Sequence, residues 1–193
     1  MKNNYVIVNG EKRVINEDKL ILGNLGIKKI TDLKNLSKLT DLKELYLYNN
    51  EIECINGLEN LQNLVKLNLY GNDIIKIENL AMLSHLKVLY LSENNISKIQ
   101  GLDSLINLKR LSFETNKIKK IEGLDQLINL EQLNLYENNI HKIEGLGNLK
   151  SLKNLRIGKN PIPSKSLEKV GGLNEQGYVI KPQLVVEYCN KLI

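Results

Sequence analysis

The chain has 193 residues with 27 basic and 22 acidic side chains, which give a formal net charge of +5. It has no run of about 18 apolar residues and no leader-like start, so we expect neither a membrane-spanning helix nor a secretory signal. Two cysteines, Cys54 and Cys189, lie too far apart in the repeat pattern to pair, which fits a reducing compartment and predicts a cytoplasmic protein.

The first predicted element is a β-hairpin at the N-terminus. Two short segments with strand-like composition, 5–8 and 11–14, flank Asn9-Gly10, which is a strong signal for a two-residue hairpin turn. We assign residues 1–19 to an N-terminal cap, because a protein made of stacked repeats must cover its open ends.

Residues 20–162 carry a repeat with a period of 22 residues. Seven copies begin at Leu20, Leu45, Leu67, Leu89, Leu111, Leu133 and Leu155. Six of these copies place an asparagine five residues later, at Asn50, Asn72, Asn94, Asn116, Asn138 and Asn160. The first copy is three residues longer and has Leu25 in place of the asparagine. A segment this short cannot bury an apolar face alone, so the copies must stack into a solenoid.

Each part of the repeat predicts its own local structure. Leu45 and Leu47 alternate with outward residues, which predicts a short strand, and stacked copies of that strand form a parallel sheet. The asparagine amide can bond backbone groups where the chain leaves the strand. From Ile55 onward, apolar residues follow at intervals of three, which predicts a 3₁₀ or extended convex side. A glycine at the same place in four repeats, as at Gly57, predicts a turn.

The repeat ends at a segment that contains two prolines. A short helix is predicted over 164–170, followed by a loop that includes Gly177, and Pro182 suits the first position of a second helix. The apolar face of that second helix comprises Leu184, Val185, Tyr188, Cys189 and Leu192. We assign residues 163–193 to a C-terminal cap, with a helix that binds a partner as the alternative.

The repeated frame Leu45-x-Leu47-x-x-Asn50-x-Ile52 resembles the leucine-rich-repeat family, in its 22-residue subclass, over residues 20–162. That subclass includes the leucine-rich regulatory subunit of type-one protein phosphatase, axonemal dynein light-chain repeats and the internalins. The resemblance implies an α/β solenoid that curves as a right-handed superhelix, with a concave parallel β-sheet and a C-terminal helical cap. It also implies protein binding on the concave face, and it implies no substrate.

Tyrosine is concentrated on the predicted concave face. Five of the eight tyrosines fall in the two outward columns of the strands, at Tyr46, Tyr48, Tyr70, Tyr90 and Tyr136. The first four lie on neighbouring strands about 4.8 Å apart and should form one patch. We favour a recognition patch, because tyrosine is a common hot spot of protein interfaces. The alternative is that the rings only stabilise the sheet.

Charged residues beside the tyrosines form the second part of the candidate site. Glu93, Glu114 and Glu137 make an acidic strip, and Arg110 stands in the column before the strand. We expect these four side chains to orient a protein or peptide partner. Basic and acidic residues nearly cancel across the face, which argues against a nucleic-acid groove. A separate column of single lysines, such as Lys98, has glutamates two residues on and predicts solvated surface.

The sequence shows no catalytic constellation. His85 and His141 lie in different columns without partners at metal-ligand spacing, and there is no phosphate-binding glycine loop. We therefore expect no metal or cofactor. We predict a non-catalytic scaffold that binds a protein or peptide, and we expect no membrane binding. The alternative is a regulatory accessory subunit of a phosphatase or GTPase. We expect a monomer, with a homodimer through the concave face as the alternative.

Overall fold

The computed structural model describes residues 4–191, and its first element is the predicted hairpin. The hairpin pairs strands β1 (Tyr5–Val8) and β2 (Glu11–Val14) antiparallel. Asn9 and Gly10 have φ angles of 50° and 83°, the left-handed values that a tight two-residue turn requires. The Ile7 amide donates to the Lys34 carbonyl at 3.1 Å, so the hairpin is joined to the first repeat.

Seven parallel strands form the main sheet of the described chain. They are β3 (Lys19–Ile21), β4 (Glu44–Tyr46), β5 (Lys66–Asn68), β6 (Val88–Tyr90), β7 (Arg110–Ser112), β8 (Gln132–Asn134) and β9 (Asn154–Arg156). Their order in the sheet follows the chain, and the middle leucines are direct partners from Leu20 to Leu155. The stacked parallel sheet predicted from the repeat is therefore confirmed.

The interior is built from the aliphatic columns of the repeat. Leucines and isoleucines at the framework positions are buried, and Phe113 replaces one leucine and is fully buried. On the side opposite the sheet, amides bond the carbonyl three residues earlier, as Leu61 does to Leu58 at 2.9 Å. In the first repeat these turns form two 3₁₀ helices, Ile30–Asp32 and Leu36–Lys38. The turns follow from the three-residue spacing of the buried leucines.

A ladder of asparagine side chains links neighbouring repeats. The Oδ1 atom of Asn94 accepts a hydrogen bond from the Ile74 amide at 2.9 Å, and its Nδ2 group donates to the Leu69 and Leu91 carbonyls at 2.9 and 3.1 Å. The same pattern recurs at Asn50, Asn72, Asn116, Asn138 and Asn160. Backbone groups that the turns would leave buried and unpaired are thereby satisfied.

Two helices follow the last strand, α1 (Ser164–Glu168) and α2 (Pro182–Asn190). Helix α2 begins at the predicted proline and buries Val185, Val186 and Cys189 in the same core as the repeats. The predicted apolar face is wrong at Leu184, which is 36% exposed, because the helix presents Val186 to the core instead. The prediction for Leu192 lies outside the described residues.

The segment around Gly177 is not the open loop that the sequence predicts. The Val179 amide donates to the Leu155 carbonyl at 2.9 Å, and the Ile157 amide donates to the Gly177 carbonyl at 3.0 Å. The chain therefore runs antiparallel to β9 here and covers the outer edge of the sheet. We call residues 174–180 the edge segment.

The other edge of the sheet, at β3, also has an antiparallel neighbour. Asn16 and Lys19 exchange backbone hydrogen bonds of 3.0 Å in both directions as the chain turns into β3. Both outer strands of the described sheet thus pair with short segments of the same chain.

The cysteines and the helices bear on two further predictions about the chain. Cys54 is exposed, Cys189 is buried, and neither forms a disulfide. Within residues 4–191, no helix is both long enough and apolar enough to cross a membrane. The division into a cap over 1–19, repeats over 20–162 and a second cap over 163–193 stays a prediction.

Replacing Asn138 with alanine is expected to lower the free energy of unfolding by about 3 kcal/mol, because its buried partners lose their hydrogen bonds. The Asn138 side chain accepts from the Ile118 amide at 3.0 Å and donates to the Phe113 carbonyl at 2.8 Å. Urea unfolding followed by circular dichroism measures the loss. Asn139→Ala is the matched control, because Asn139 is adjacent and exposed. Equal losses in the two variants would contradict the role of the ladder.

Candidate protein-binding face

The candidate site is the side of the seven-stranded sheet that faces away from the core. Alternation along each strand buries the middle leucine and turns its two neighbours outward. We call the surface formed by these outward residues, and by those that follow each strand, the exposed sheet face. On it, the predicted site residues Tyr46, Tyr48, Tyr70, Tyr90, Glu114 and Tyr136 are half buried, and Glu93, Arg110 and Glu137 are exposed.

Lysines lie over the rings of Tyr46 and Tyr90. The Lys66 ammonium group is 4.9 Å from the centroid of the Tyr46 ring and 5.8 Å from that of Tyr90. The Lys19 ammonium group lies 4.8 Å from the Tyr46 centroid, and the Tyr46 hydroxyl donates to the Glu44 carboxylate at 2.6 Å. A side-chain hydrogen bond with Tyr46 raises the pKa of Lys66, which keeps that lysine charged. This end of the face is therefore a cation–π cluster rather than a bare aromatic patch.

Tyr48 and Tyr70 are positioned by different neighbours. The Tyr48 ring packs directly on Gly23, where the Cβ atom of any other residue would overlap the ring. A side-chain hydrogen bond to Glu93 raises the pKa of Tyr70, and burial raises it further. Both rings are half buried, so each is held by the sheet and still keeps surface for contact with a partner.

Arg156 connects Tyr136 to the edge segment. Its Cζ atom lies 3.8 Å from the centroid of the Tyr136 ring, and its Nη1 atom bonds the Glu114 carboxylate at 2.8 Å. Its Nε atom donates to the Gln176 carbonyl at 2.9 Å, and its Cζ atom is 5.5 Å from the Tyr178 centroid. Tyr136 therefore takes part in a contact that holds the edge segment on the sheet.

The predicted acidic strip contains two carboxylates that form ion pairs and one whose side-chain partner is the Tyr70 hydroxyl. Glu114 pairs with Arg156 at 2.8 Å and Glu137 with Lys159 at 3.3 Å, whereas no ion pair among the described residues includes Glu93. Glu93 and Glu137 also have left-handed backbones, with φ of 52° and 58°, directly before a ladder asparagine. This conformation costs a residue other than glycine about 1 kcal/mol, and the sequence pattern did not reveal it.

Arg110 lines a groove at the C-terminal half of the exposed sheet face. The groove has a volume of about 720 Å³ and is floored by residues of β7, β8 and β9. Its far wall is the edge segment with Tyr178 and Ile180, which are 38% and 59% exposed. This wall was not predicted from the sequence, because Gly177 indicated a loop there. An aromatic and an aliphatic residue two positions apart, directly after a glycine, are the signal that could have revealed a strand there.

The lysine column outside the exposed sheet face behaves as the sequence predicts. Lys76 pairs with Glu78 at 3.0 Å and Lys142 with Glu144 at 2.9 Å, and both lysines are exposed. In the described part of the chain, no three metal-ligating side chains come together.

The fold and the face are those of a repeat scaffold, and comparison with known proteins defines its family. The leucine-rich-repeat family model matches residues 55–170, which is more than half of the chain. The protein belongs to the leucine-rich-repeat family, a fold typical of protein–protein interaction scaffolds. No curated protein matches the chain in sequence. The 22-residue subclass and the resemblance to the phosphatase subunit stay predictions.

Solved structures of leucine-rich-repeat architecture are similar to this chain. A leucine-rich-repeat protein of Leptospira interrogans is 30% identical with a TM-score of 0.64, over 70% of this chain and 36% of that one. Internalin C2 of Listeria monocytogenes is 29% identical with a TM-score of 0.59, over 76% and 73% of the two chains. TLR13 in the TLR13–ssRNA13 complex is 29% identical with a TM-score of 0.66, over 74% and 22%. The chain thus spans about a third of the Leptospira protein.

Glu93→Gln is expected to return the pKa of Tyr70 toward its ordinary value, because the carboxylate that favours the protonated phenol is removed. NMR titration of the Tyr70 ring measures this change. In the wild type, the folded state holds the phenol proton more tightly than the unfolded state. Its contribution to stability is present below the ordinary tyrosine pKa and is lost as pH rises through the raised value. An unchanged titration would mean that Glu93 does not raise the pKa of Tyr70.

Arg156→Met is expected to loosen the edge segment, because the guanidinium contacts with Glu114 and Gln176 are lost. Hydrogen exchange at the Val179 amide should become faster by about tenfold or more, with little change in β4 to β6. Lys153→Met is the matched control, since the Lys153 ammonium group pairs with Glu131 at 2.7 Å and not with the edge segment. Unchanged exchange at Val179 in Arg156→Met would show that the backbone hydrogen bonds hold the segment without Arg156.

Proposed function

We propose that this protein is a non-catalytic scaffold that binds a protein or peptide on its exposed sheet face. The supporting observation is that Tyr46, Tyr48, Tyr70 and Tyr90 are half buried on three successive repeats and that each ring has a neighbour on the sheet. These neighbours are Lys66 at Tyr46 and Tyr90, Gly23 at Tyr48 and Glu93 at Tyr70. A ring that is already fixed offers a large contact area and loses little conformational entropy when a partner binds. The anchors of the proposed interface are therefore these four tyrosines.

Charged residues orient the partner in this proposal. Arg110 and Glu93 are exposed and stand on opposite sides of the tyrosines along the strand direction. Charges at the rim of an interface change the association rate and the binding orientation more than the affinity. Glu114, Glu137 and Tyr136 belong to the C-terminal end of the same interface, where ion pairs with Arg156 and Lys159 hold the two carboxylates in place.

The family supports an interaction role, and the free cysteines support a reducing environment. Leucine-rich repeats bury a continuous core and leave an extended face for binding. The unpaired thiols of Cys54 and Cys189 agree with the proposed cytoplasmic location. The protein works as a monomer in this proposal. Size-exclusion chromatography with light scattering measures its molar mass and tests this directly.

Replacing Tyr46, Tyr48, Tyr70 and Tyr90 together with alanine is expected to weaken partner binding by at least about a hundredfold, since each ring is placed as a hot spot. The immobilised wild type and variant are compared for proteins captured from a lysate of the native host, and the captured protein is then titrated in purified form. A purified partner that binds both proteins equally would contradict the proposal.

The control variant is Ile106→Ala with Ile128→Ala. Both isoleucines are exposed, at 49% and 56%, and lie outside the exposed sheet face. Thermal unfolding of both variants establishes that the sheet is intact. Loss of the partner from the isoleucine variant as well would place the interface on another surface.

A further inference from the structure

The first residues of strands β3 to β7 form a row across the exposed sheet face, and this row has an excess of positive charge. The outward residues that open β3 to β7 are Lys19, Glu44, Lys66, Val88 and Arg110. Three of the five are cations and one is a carboxylate. Since neighbouring strands lie about 4.8 Å apart, the cations on β3, β5 and β7 are spaced by about 10 Å. We call the three cations the basic row.

Two cations of the basic row are held in place before any partner arrives. The ammonium groups of Lys19 and Lys66 lie 4.8 and 4.9 Å from the Tyr46 centroid. The Glu44 carboxylate accepts the Tyr46 hydroxyl at 2.6 Å, so ring, carboxylate and ammonium groups form one cluster. A lysine held over a ring loses less side-chain freedom when it binds an anion than a free surface lysine does.

The third cation of the basic row stands in a concave site. Arg110 is exposed and lines the groove of about 720 Å³, which Tyr90 and Tyr178 also line. Lys153 lines the same groove, but its ammonium group pairs with Glu131 at 2.7 Å. None of the ion pairs found among residues 4–191 uses Arg110, so its guanidinium can take a carboxylate in bidentate fashion.

The opposite side of the exposed sheet face has the opposite charge. Glu93 follows β6 there and is exposed, whereas Glu114 and Glu137 are offset by Arg156 and Lys159. A polyanion with evenly spaced phosphates would bring some of them against Glu44 and Glu93. A protein segment can instead place carboxylates only where the cations stand, which favours a protein over a nucleic acid.

We propose that the basic row and the groove at its end bind an acidic, extended segment of the partner protein, with carboxylates at about every third residue. Three residues of an extended polyproline-type segment span about 9 Å, close to the spacing of two strands. One carboxylate pairs with the Arg110 guanidinium in the groove, and others pair with Lys66 and Lys19. This inference rests on the proposed function and adds the chemistry of the partner.

The test measures fluorescence anisotropy of a labelled peptide of about twelve residues with glutamate at every third position and proline elsewhere. Lys66→Met with Arg110→Met should weaken its binding at least tenfold. The control, Lys98→Met with Lys120→Met, removes the same charge from lysines that are exposed outside the face, and it should bind as the wild type does. The same peptide with glutamine in place of glutamate should not bind.

Four results would overturn the inference. Equal weakening in both double variants would mean general attraction of a polyanion. Equal binding of the glutamine peptide would mean that carboxylates are not recognised. Tight binding of single-stranded oligothymidylate, lost on changing Lys66 and Arg110, would make the row a nucleic-acid contact. Absence of peptide binding would refute the acidic segment, while the tyrosine variant still tests the proposed function separately through its own captured partner.

Discussion

The structure depends on one interaction repeated along the chain, the hydrogen bonding of the ladder asparagines. The leucine core supplies most of the driving force, but aliphatic contacts are non-directional. The amide of Asn94 bonds Ile74 and Leu69 in the preceding repeat and Leu91 in its own, so each repeat completes the turn of the one before it. Stability is therefore shared between neighbours, and removal of one asparagine weakens the interface between two repeats.

The same repeat determines how side chains are presented on the exposed sheet face. Strands of three residues leave two outward positions around each buried leucine, and the turn that follows requires a left-handed residue before the asparagine. Glu93, Thr115 and Glu137 accept that conformation although glycine, as at position 71, would adopt it more readily. Retaining polar side chains in strained positions is consistent with a use for the surface they form.

The periodic part of the chain was predictable because each residue type repeats in one environment. Leucines at fixed spacing indicated the strands and convex turns, and Asn9-Gly10 indicated the hairpin. The edge segment, the Arg156 contacts and the groove beside Arg110 were not predictable in this way. The edge segment lies beyond the last repeat, and the Arg156 contacts join residues of different repeats, such as Glu114 and Arg156, that are 42 positions apart. The lysines over Tyr46 were not predictable either, since the repeat shows which residues occupy equivalent positions but not where long side chains point.

The antiparallel pairings at the two outer strands have a consequence for assembly. A stack of nearly identical units offers the same backbone edge at each end that it offers within, so an uncovered end could accept another molecule and polymerise. The Asn16–Lys19 bridge occupies the start of β3, and Val179 bonds Leu155 on β9. These short segments run against the direction of the sheet, so neither presents the parallel edge that a further repeat needs. An antiparallel neighbour at each end therefore works against the end-to-end stacking of molecules by the same parallel pairing that joins the repeats.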